Sequence, residues 1–284
     1  MERRLPPWFR RPVRTDARYG RVTRTLARGG LHTVCRSARC PNRHECWSAG
    51  TATFMILGDA CTRRCRFCAV PGGPPAPPDP GEPARVAAAA RELRLRHVVI
   101  TSVTRDDLPD GGAGAFAAAI RAVRAALPGA TVEVLTPDFQ GLEPALAIVL
   151  DESPDVFNHN LETVRRLQSE VRPQASYDRS LRVLAFAATR RGGRAVKSGL
   201  MLGLGETDGE ADGALKDLRA AGVSFLTLGQ YLAPTRSSWP VARFIEPEAF
   251  DAWARRAKEL GFGRVESGPL VRSSYRAAGI FGGG

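Results

Sequence analysis

Six short apolar runs, each followed by a longer stretch with helical spacing, leave a chain like this few folds to choose from. The runs lie at 52–57, 97–102, 131–135, 155–158, 195–202 and 224–229. The stretches at 84–95, 114–126, 143–150, 178–190, 208–221 and 247–260 are rich in Ala, Leu and Arg and have helical spacing. Strict alternation predicts a parallel sheet with right-handed crossovers. The expected architecture is α/β, a partial (β/α)6 TIM-like barrel with N- and C-terminal extensions, and 284 residues suit one such barrel. The boundaries read as 1–50 for a basic arm and a cysteine-bearing segment, 51–240 for the barrel, and 241–284 for a C-terminal helix and tail. Residues 71–83 are too rich in Pro and Gly for a helix or a central strand and read as a stiff surface connection.

All six cysteines fall between Cys35 and Cys68, in two triplets, and such crowding points to metal rather than disulfides. Cys61, Cys65 and Cys68, spaced C-x3-C-x2-C, follow directly on the first apolar run. Three thiolates so spaced can curl around one cubane iron–sulfur cluster and ligate three of its four irons. The open iron can then bind a small molecule, and S-adenosylmethionine (SAM) can chelate it through its amino and carboxylate groups. Zinc would want a fourth ligand at a familiar spacing, a disulfide would strand an odd thiol, and Arg63, Arg64 and Arg66 break the apolar surroundings that inert buried cysteines prefer. The spacing and the aromatic at Phe67 match the radical SAM superfamily. Cys35, Cys40 and Cys46 are spaced C-x4-C-x5-C, and here two readings stay open: a second cubane, or a zinc site completed by His44.

Barrel chemistry sits on the loops that leave the C-terminal strand ends. Ser102 and Asn158 end two of the expected strands, and Lys197 lies within a third. These three, with Phe67 beside the adenine, are the expected SAM contacts. A lysine in a parallel strand needs a partner, for which a cofactor carboxylate is the candidate.

The balance of 41 basic against 29 acidic residues gives a net charge of +12. Residues 1–30 hold nine arginines against Glu2 and Asp16 and read as an extended arm lying on the body or ordering on a partner. No helix-turn-helix, RRM or KH pattern accompanies the charge, so an acidic protein domain is the expected partner rather than nucleic acid. No apolar run approaches the roughly 18 residues of a membrane span, and no apolar region follows the charged N-terminus, so a cytoplasmic location is expected.

Further motifs carry a resemblance over most of the chain. Leu31-His32-Thr33-Val34-Cys35, Cys40-Pro41-Asn42, Glu45-Cys46-Trp47, Ser102-Val103-Thr104-Arg105-Asp106-Asp107-Leu108, Phe157-Asn158-His159-Asn160-Leu161-Glu162-Thr163, Lys197-Ser198-Gly199-Leu200-Met201, Gly229-Gln230-Tyr231-Leu232 and Arg272-Ser273-Ser274-Tyr275 together resemble the lipoyl synthases. The resemblance implies a sulfurtransferase with two 4Fe-4S clusters and S-adenosyl-L-methionine. The Cys61/Cys65/Cys68 cluster would cleave SAM to a 5′-deoxyadenosyl radical, which takes hydrogen from C6 and then C8 of an octanoyl chain on a carrier lysine. The Cys35/Cys40/Cys46 cluster would be sacrificed to donate both sulfurs. The resemblance also assigns the fourth iron of that cluster to Ser274, with the tail closing over it. Implied partners are octanoylated lipoyl carrier domains or the glycine-cleavage H protein, an electron donor such as flavodoxin or ferredoxin, and an iron–sulfur cluster carrier. Arg43-His44 and Thr235-Arg236-Ser237-Ser238-Trp239-Pro240 depart from the family pattern. Other two-cluster enzymes, biotin synthase-like or methylthiotransferase, place the second cysteine set elsewhere. A non-enzymatic basic iron–sulfur or zinc protein that binds nucleic acid would not cleave SAM.

Overall fold

The computed structural model describes residues 5–11, 13, 15–190, 192, 194–275 and 277. Its centre is one eight-stranded sheet in the order β1 (His32–Thr33), β2 (Thr53–Ile56), β3 (His97–Ser102), β4 (Thr131–Leu135), β5 (Val156–Asn158), β6 (Ala195–Leu202), β7 (Phe225–Gln230), β8 (Arg264–Gly268). From β2 onward every pairing is parallel, whereas β1 is antiparallel to β2. Strands covered on both faces read as continuous apolar runs, which is why the six expected strands appear near their expected places. The sheet is an open, partial barrel.

Three helices precede the barrel: α1 (Ala17–Arg28), α2 (Val34–Ser37) and α3 (Arg43–Ser48). Seven follow: α4 (Glu82–Glu92), α5 (Ala113–Ala126), α6 (Glu143–Asp151), α7 (Gln168–Val171), α8 (Tyr177–Thr189), α9 (Asp208–Ala220) and α10 (Pro247–Glu259). Local chemistry sets several starts. Ser176 caps α8 through Arg179 N, and Thr207 with Glu210 forms a capping box at α9. Helix α5 buries Phe116, Ile120 and Val123, spaced by four and three residues, against the sheet.

Three expectations need correction. Residues 17–28 of the supposed extended arm are helical: Asp16 caps the first turn, Val22, Thr25 and Leu26 are buried, and Thr25 and Arg28 both bond Glu92. The arm's residues 1–4, 12 and 14 lie outside the described residues. Second, the sheet does not stop near residue 240, because β8 pairs with β7 through Gly268. Third, the segment before the barrel contributes β1 to the same sheet. Tail residues 276 and 278–284 lie outside the described residues.

The first and last parts of the chain meet beside β2. Asn42 Nδ2 donates to Leu270 O at 2.6 Å, Thr53 Oγ1 to Ser274 Oγ at 2.9 Å, and Tyr275 Oη to Glu45 Oε1 at 2.7 Å. The loop after β7 straps across the strand ends. Trp239 donates Nε1 to Leu204 O at 2.8 Å and carries the Arg66 guanidinium over its ring at 4.4 Å, which ties the strap to the cysteine loop.

Candidate active site

One cavity of about 590 Å³ opens at the C-terminal strand ends, and all six cysteines line it. Cys61, Cys65 and Cys68 reach it on the loop after β2. That loop is stitched to the loop after β3: Thr62 N donates to Thr104 O at 3.1 Å, and Asp106 N donates to Thr62 Oγ1 at 3.1 Å. The Arg63 guanidinium adds a second clasp, with Nε and Nη2 on the Asp106 carboxylate at 2.6 and 2.8 Å and Nη2 on Asp138 at 2.7 Å.

Backbone N–H groups already point at sulfur. Arg63 N and Thr104 N lie 3.4 and 3.3 Å from Cys61 Sγ, and Val70 N lies 3.4 Å from Cys68 Sγ. Burial pushes the Cys68 thiol up to about 11 against the lowering effect of Val70 N–H, and its neighbours Cys65 and Cys61 add to the rise. Burial likewise raises Cys65 and Cys40. Thiols this buried and this close ionise together only around cations, so both triplets have the donor chemistry of a cluster site.

His44 does not complete a zinc site. Its ring stacks on Tyr19 at 5.2 Å with a 4° interplanar angle. Around zinc, every donor must come within about 2.0–2.3 Å of one point. Among the described residues no group of three His, Cys, Asp or Glu side chains converges in that way. A cubane asks something different, because each thiolate binds its own iron.

Phe67, Ser102 and Ser274 line the cavity, as expected, and the buried Ser102 Oγ has no hydrogen-bond partner among the described residues. Asn158 and Lys197 do not line it. The partner of Lys197 is Glu133, not a cofactor carboxylate: Nζ stands 2.8 Å from Oε1, and both side chains are buried. Asn158 Nδ2 donates to the same oxygen at 3.2 Å, and His97 Nε2 approaches the other at 3.4 Å. Burial alone would raise the Glu133 carboxyl, but Lys197 and His97 outweigh it and hold it below the usual range. The signal for Glu133 was its place inside the apolar run Thr131-Val132-Glu133-Val134-Leu135.

The segment after β5 supplies further wall. Glu162 adopts a left-handed backbone (φ 70°), a conformation that costs a non-glycine residue about 1–2 kcal/mol. Asn160 Nδ2 bridges Glu162 Oε1 at 3.0 Å and Ser273 Oγ at 2.6 Å. The buried Arg172 holds this turn through the carbonyls of Asn160 and Leu161. His159 sits between Thr136 O at 2.9 Å and Ser180 Oγ at 3.0 Å. A carbonyl only accepts, so Nδ1 carries the proton and Nε2 accepts from the serine.

Burial, then the charge of Arg172, lowers His159 to about 4. The unfolded chain therefore binds the proton first as pH falls, and stability is full above about 6.5 and lost toward 4. Between pH 7 and 5 this group should remove about 2 kcal/mol of stability. Thermal unfolding across that range should show the slope, and His159→Gln should flatten it. Equal slopes in the two proteins would remove the assignment.

Comparisons with known proteins agree with this geometry. Residues 55–218 match the family model described as the Radical SAM superfamily. The lipoyl synthase of Rubrobacter xylanophilus is 54% identical over 272 residues, 96% of this chain and 85% of that one. That of Chlorobium phaeovibrioides is 54% identical over 96% of both chains, and that of Methylococcus capsulatus 56% identical over 96% of this chain and 85% of its own. In fold, the chain is similar to methylornithine synthase, with a TM-score of 0.54 and 14% identity over 75% of this chain and 69% of that one. It is also similar to the coproporphyrinogen III oxidase of Escherichia coli, with a TM-score of 0.51 and 13% identity over 73% and 52%. With the sequence matches spanning nearly the whole chain and the six cysteines facing one cavity in a partial barrel, the chain belongs to the lipoyl synthase family of the radical SAM superfamily.

Proposed function

We propose that this chain inserts two sulfurs, at C6 and C8, into an octanoyl chain amide-linked to a lysine of a carrier domain. The observation that carries the reading is that both cysteine triplets open into one cavity. Neither the C6 methylene nor the C8 methyl has an acidic proton, so the general acids and bases of the site are useless for them and a radical is required. When bound, the clusters and SAM supply that radical and the sulfur.

The residues of the chain hold, orient and enclose. Cys61, Cys65 and Cys68 would hold one 4Fe-4S cluster, leaving one iron to SAM, with Ser102 and Phe67 on the cofactor. Cys35, Cys40 and Cys46 would hold the second, with Ser274 on its fourth iron. Thr53 donates to the Ser274 hydroxyl and so keeps that oxygen at the cavity wall. The strap through Trp239 encloses the reaction from above.

The carrier is an octanoylated lipoyl domain or the glycine-cleavage H protein, drawn by the basic surface. Flavodoxin or ferredoxin would supply electrons, and an iron–sulfur carrier would rebuild the second cluster. No described helix is long and apolar enough to cross a membrane, and we place the activity in the cytoplasm. The test is anaerobic turnover of octanoylated carrier, read by mass spectrometry for a dithiolane product and repeated at rising salt, where turnover should fall. Cleaved SAM with no sulfur in the carrier would overturn the proposal.

Ser274 gives a separable test. A hard alkoxide on iron should leave more readily on protonation than a soft thiolate, which suits a cluster meant to be dismantled. Loss of outer-shell partners alone costs metal sites about 10–100-fold, so Ser274→Ala should slow sulfur insertion at least about tenfold. Release of 5′-deoxyadenosine should continue. Sulfur insertion at the unmodified rate would strip Ser274 of its role.

A further inference from the structure

We infer that Arg64, Arg66 and Trp239, on the outer face of the cysteine loop, form the docking plate for an acidic electron-carrier protein. The inference rests on the function proposed above and gives one of its partners a place on the surface. Cleaving the sulfonium of SAM takes one electron. The donor is oxidised by that electron, and SAM leaves as methionine and a 5′-deoxyadenosyl radical. Turnover after turnover the electron must come from outside the chain. Electron transfer slows steeply with distance, so the donor must sit close to Cys61, Cys65 and Cys68.

The loop has two faces. Arg63, Cys65 and Phe67 line the cavity, whereas Arg64 and Arg66, which alternate with them, do not line it and are exposed. A protein resting on Arg64 and Arg66 is therefore one loop's thickness from the thiols. An acylated carrier has a different need, because its lysyl arm has to enter the cavity. An electron donor needs only closeness, which this outer face provides.

The face is held rigidly. Arg64 N donates to Gln174 Oε1 at 2.7 Å, and Gln174 Nε2 donates to Thr62 O at 3.3 Å. Arg66 N donates to Val171 O at 2.8 Å, and the Arg66 carbonyl accepts from Trp239 N at 2.8 Å. The Arg66 guanidinium lies 4.4 Å from the centroid of the Trp239 ring, which fixes its arm. The Arg64 stem lies across Gly72, where a Cβ would meet its Cγ at 2.8 Å.

The face is also positive and unspent. Many surface arginines are paired, as Arg165 is with Asp178, Arg166 with Glu210 and Arg256 with Asp212. Among the described residues, neither Arg64 nor Arg66 is paired with a carboxylate. Residues 71–78, which run beside Arg64 at Gly72, carry no charged side chain to offset them. A guanidinium whose arm is already fixed loses little freedom on meeting a partner's carboxylate. Arginine and tryptophan held in this way are the side chains that anchor interfaces.

The experiment compares reductants, with reduced flavodoxin and, separately, reduced ferredoxin as the protein donors. Donor-driven release of 5′-deoxyadenosine by the cluster-loaded protein should fall as salt shortens the screening length from about 10 Å at 0.1 M to about 3 Å at 1 M. Arg64→Glu removes one exposed attraction and adds a repulsion of similar size. Donor binding by calorimetry, and release at limiting donor, should therefore both weaken about tenfold. Arg64→Gln should weaken them about threefold, and Arg66→Glu should act like Arg64→Glu. With dithionite, which needs no docking, Arg64→Glu should release 5′-deoxyadenosine at the unmodified rate, with the same iron content and the same KM for octanoylated carrier. Unchanged binding of both donors to Arg64→Glu would overturn the inference. So would an equal loss with dithionite, which marks a structural role, or a raised carrier KM under dithionite, which gives the face to the carrier. Failure of dithionite to yield 5′-deoxyadenosine from the unmodified protein would instead overturn the function proposed above, and the calorimetry would still decide the docking face.

Discussion

Replacing Cys61, Cys65 and Cys68 together with alanine will leave about half the iron of the reconstituted protein and abolish SAM cleavage if, as proposed, the triplets serve separate clusters. Each triplet is compact in sequence, and the two come from opposite sides of β2: Cys35, Cys40 and Cys46 lie before it, and the other three follow it. One cubane offers four irons and cannot take six thiolates, so a single-cluster protein would leave buried thiols idle. The converse variant, Cys35, Cys40 and Cys46 to alanine, should lose a similar share of iron and keep SAM cleavage while losing sulfur insertion. Iron analysis and 5′-deoxyadenosine release separate the cases. About four irons per chain in the intact, reconstituted protein would sink the two-cluster account.

How far the sequence could be read depended on whether each signal was local. The cysteine triplets were legible because the three cysteines of each sit within a dozen residues of one another. Strands β2 to β7 were legible because burial on both faces writes an apolar run into the chain. Strand β8 writes none: Arg264-Val265-Glu266-Ser267-Gly268 is only partly buried, and its sole branched apolar residue is Val265. The arginines of α1 masked a short apolar stripe of Val22 and Leu26. What no local pattern holds is register. Lys197 and Glu133 lie 64 residues apart and meet because β5 spaces β4 from β6; Thr53 and Ser274 lie 221 apart. Lys197 therefore looked like a residue waiting for a ligand, although the partner it needed was a second buried charge in the same barrel.

Arg63 should be the residue whose loss most damages the site without touching iron. It lies between Cys61 and Cys65, its side chain is only 4% exposed, and Asp138, which it binds, is fully buried. Burial would raise the Asp138 carboxyl, yet Arg63, by hydrogen bond and charge, holds it well below the usual carboxylate range. Arg179 reaches the other oxygen of Asp138 at 3.2 Å and Gln140 N donates at 3.0 Å, so the clasp joins the loops after β2, β3 and β4 to α8. Arg63→Met leaves a buried carboxylate short of its main counter-charge, a change that costs about 3–5 kcal/mol. For a chain of this size that is a fall of roughly 10 °C in melting temperature. Cluster loading should fall with it, because the same loop carries Cys61 and Cys65. Arg63→Lys keeps the charge but cannot span two carboxylates with a fork, so it should recover only part of the loss. The decisive comparison is Arg63→Met/Asp138→Asn, which removes the orphaned charge as well: stability should return by at least about 1 kcal/mol relative to Arg63→Met, a coupling expected of residues in one network. If Arg63→Met melts and loads iron like the unmodified protein, the clasp does not position the cluster loop.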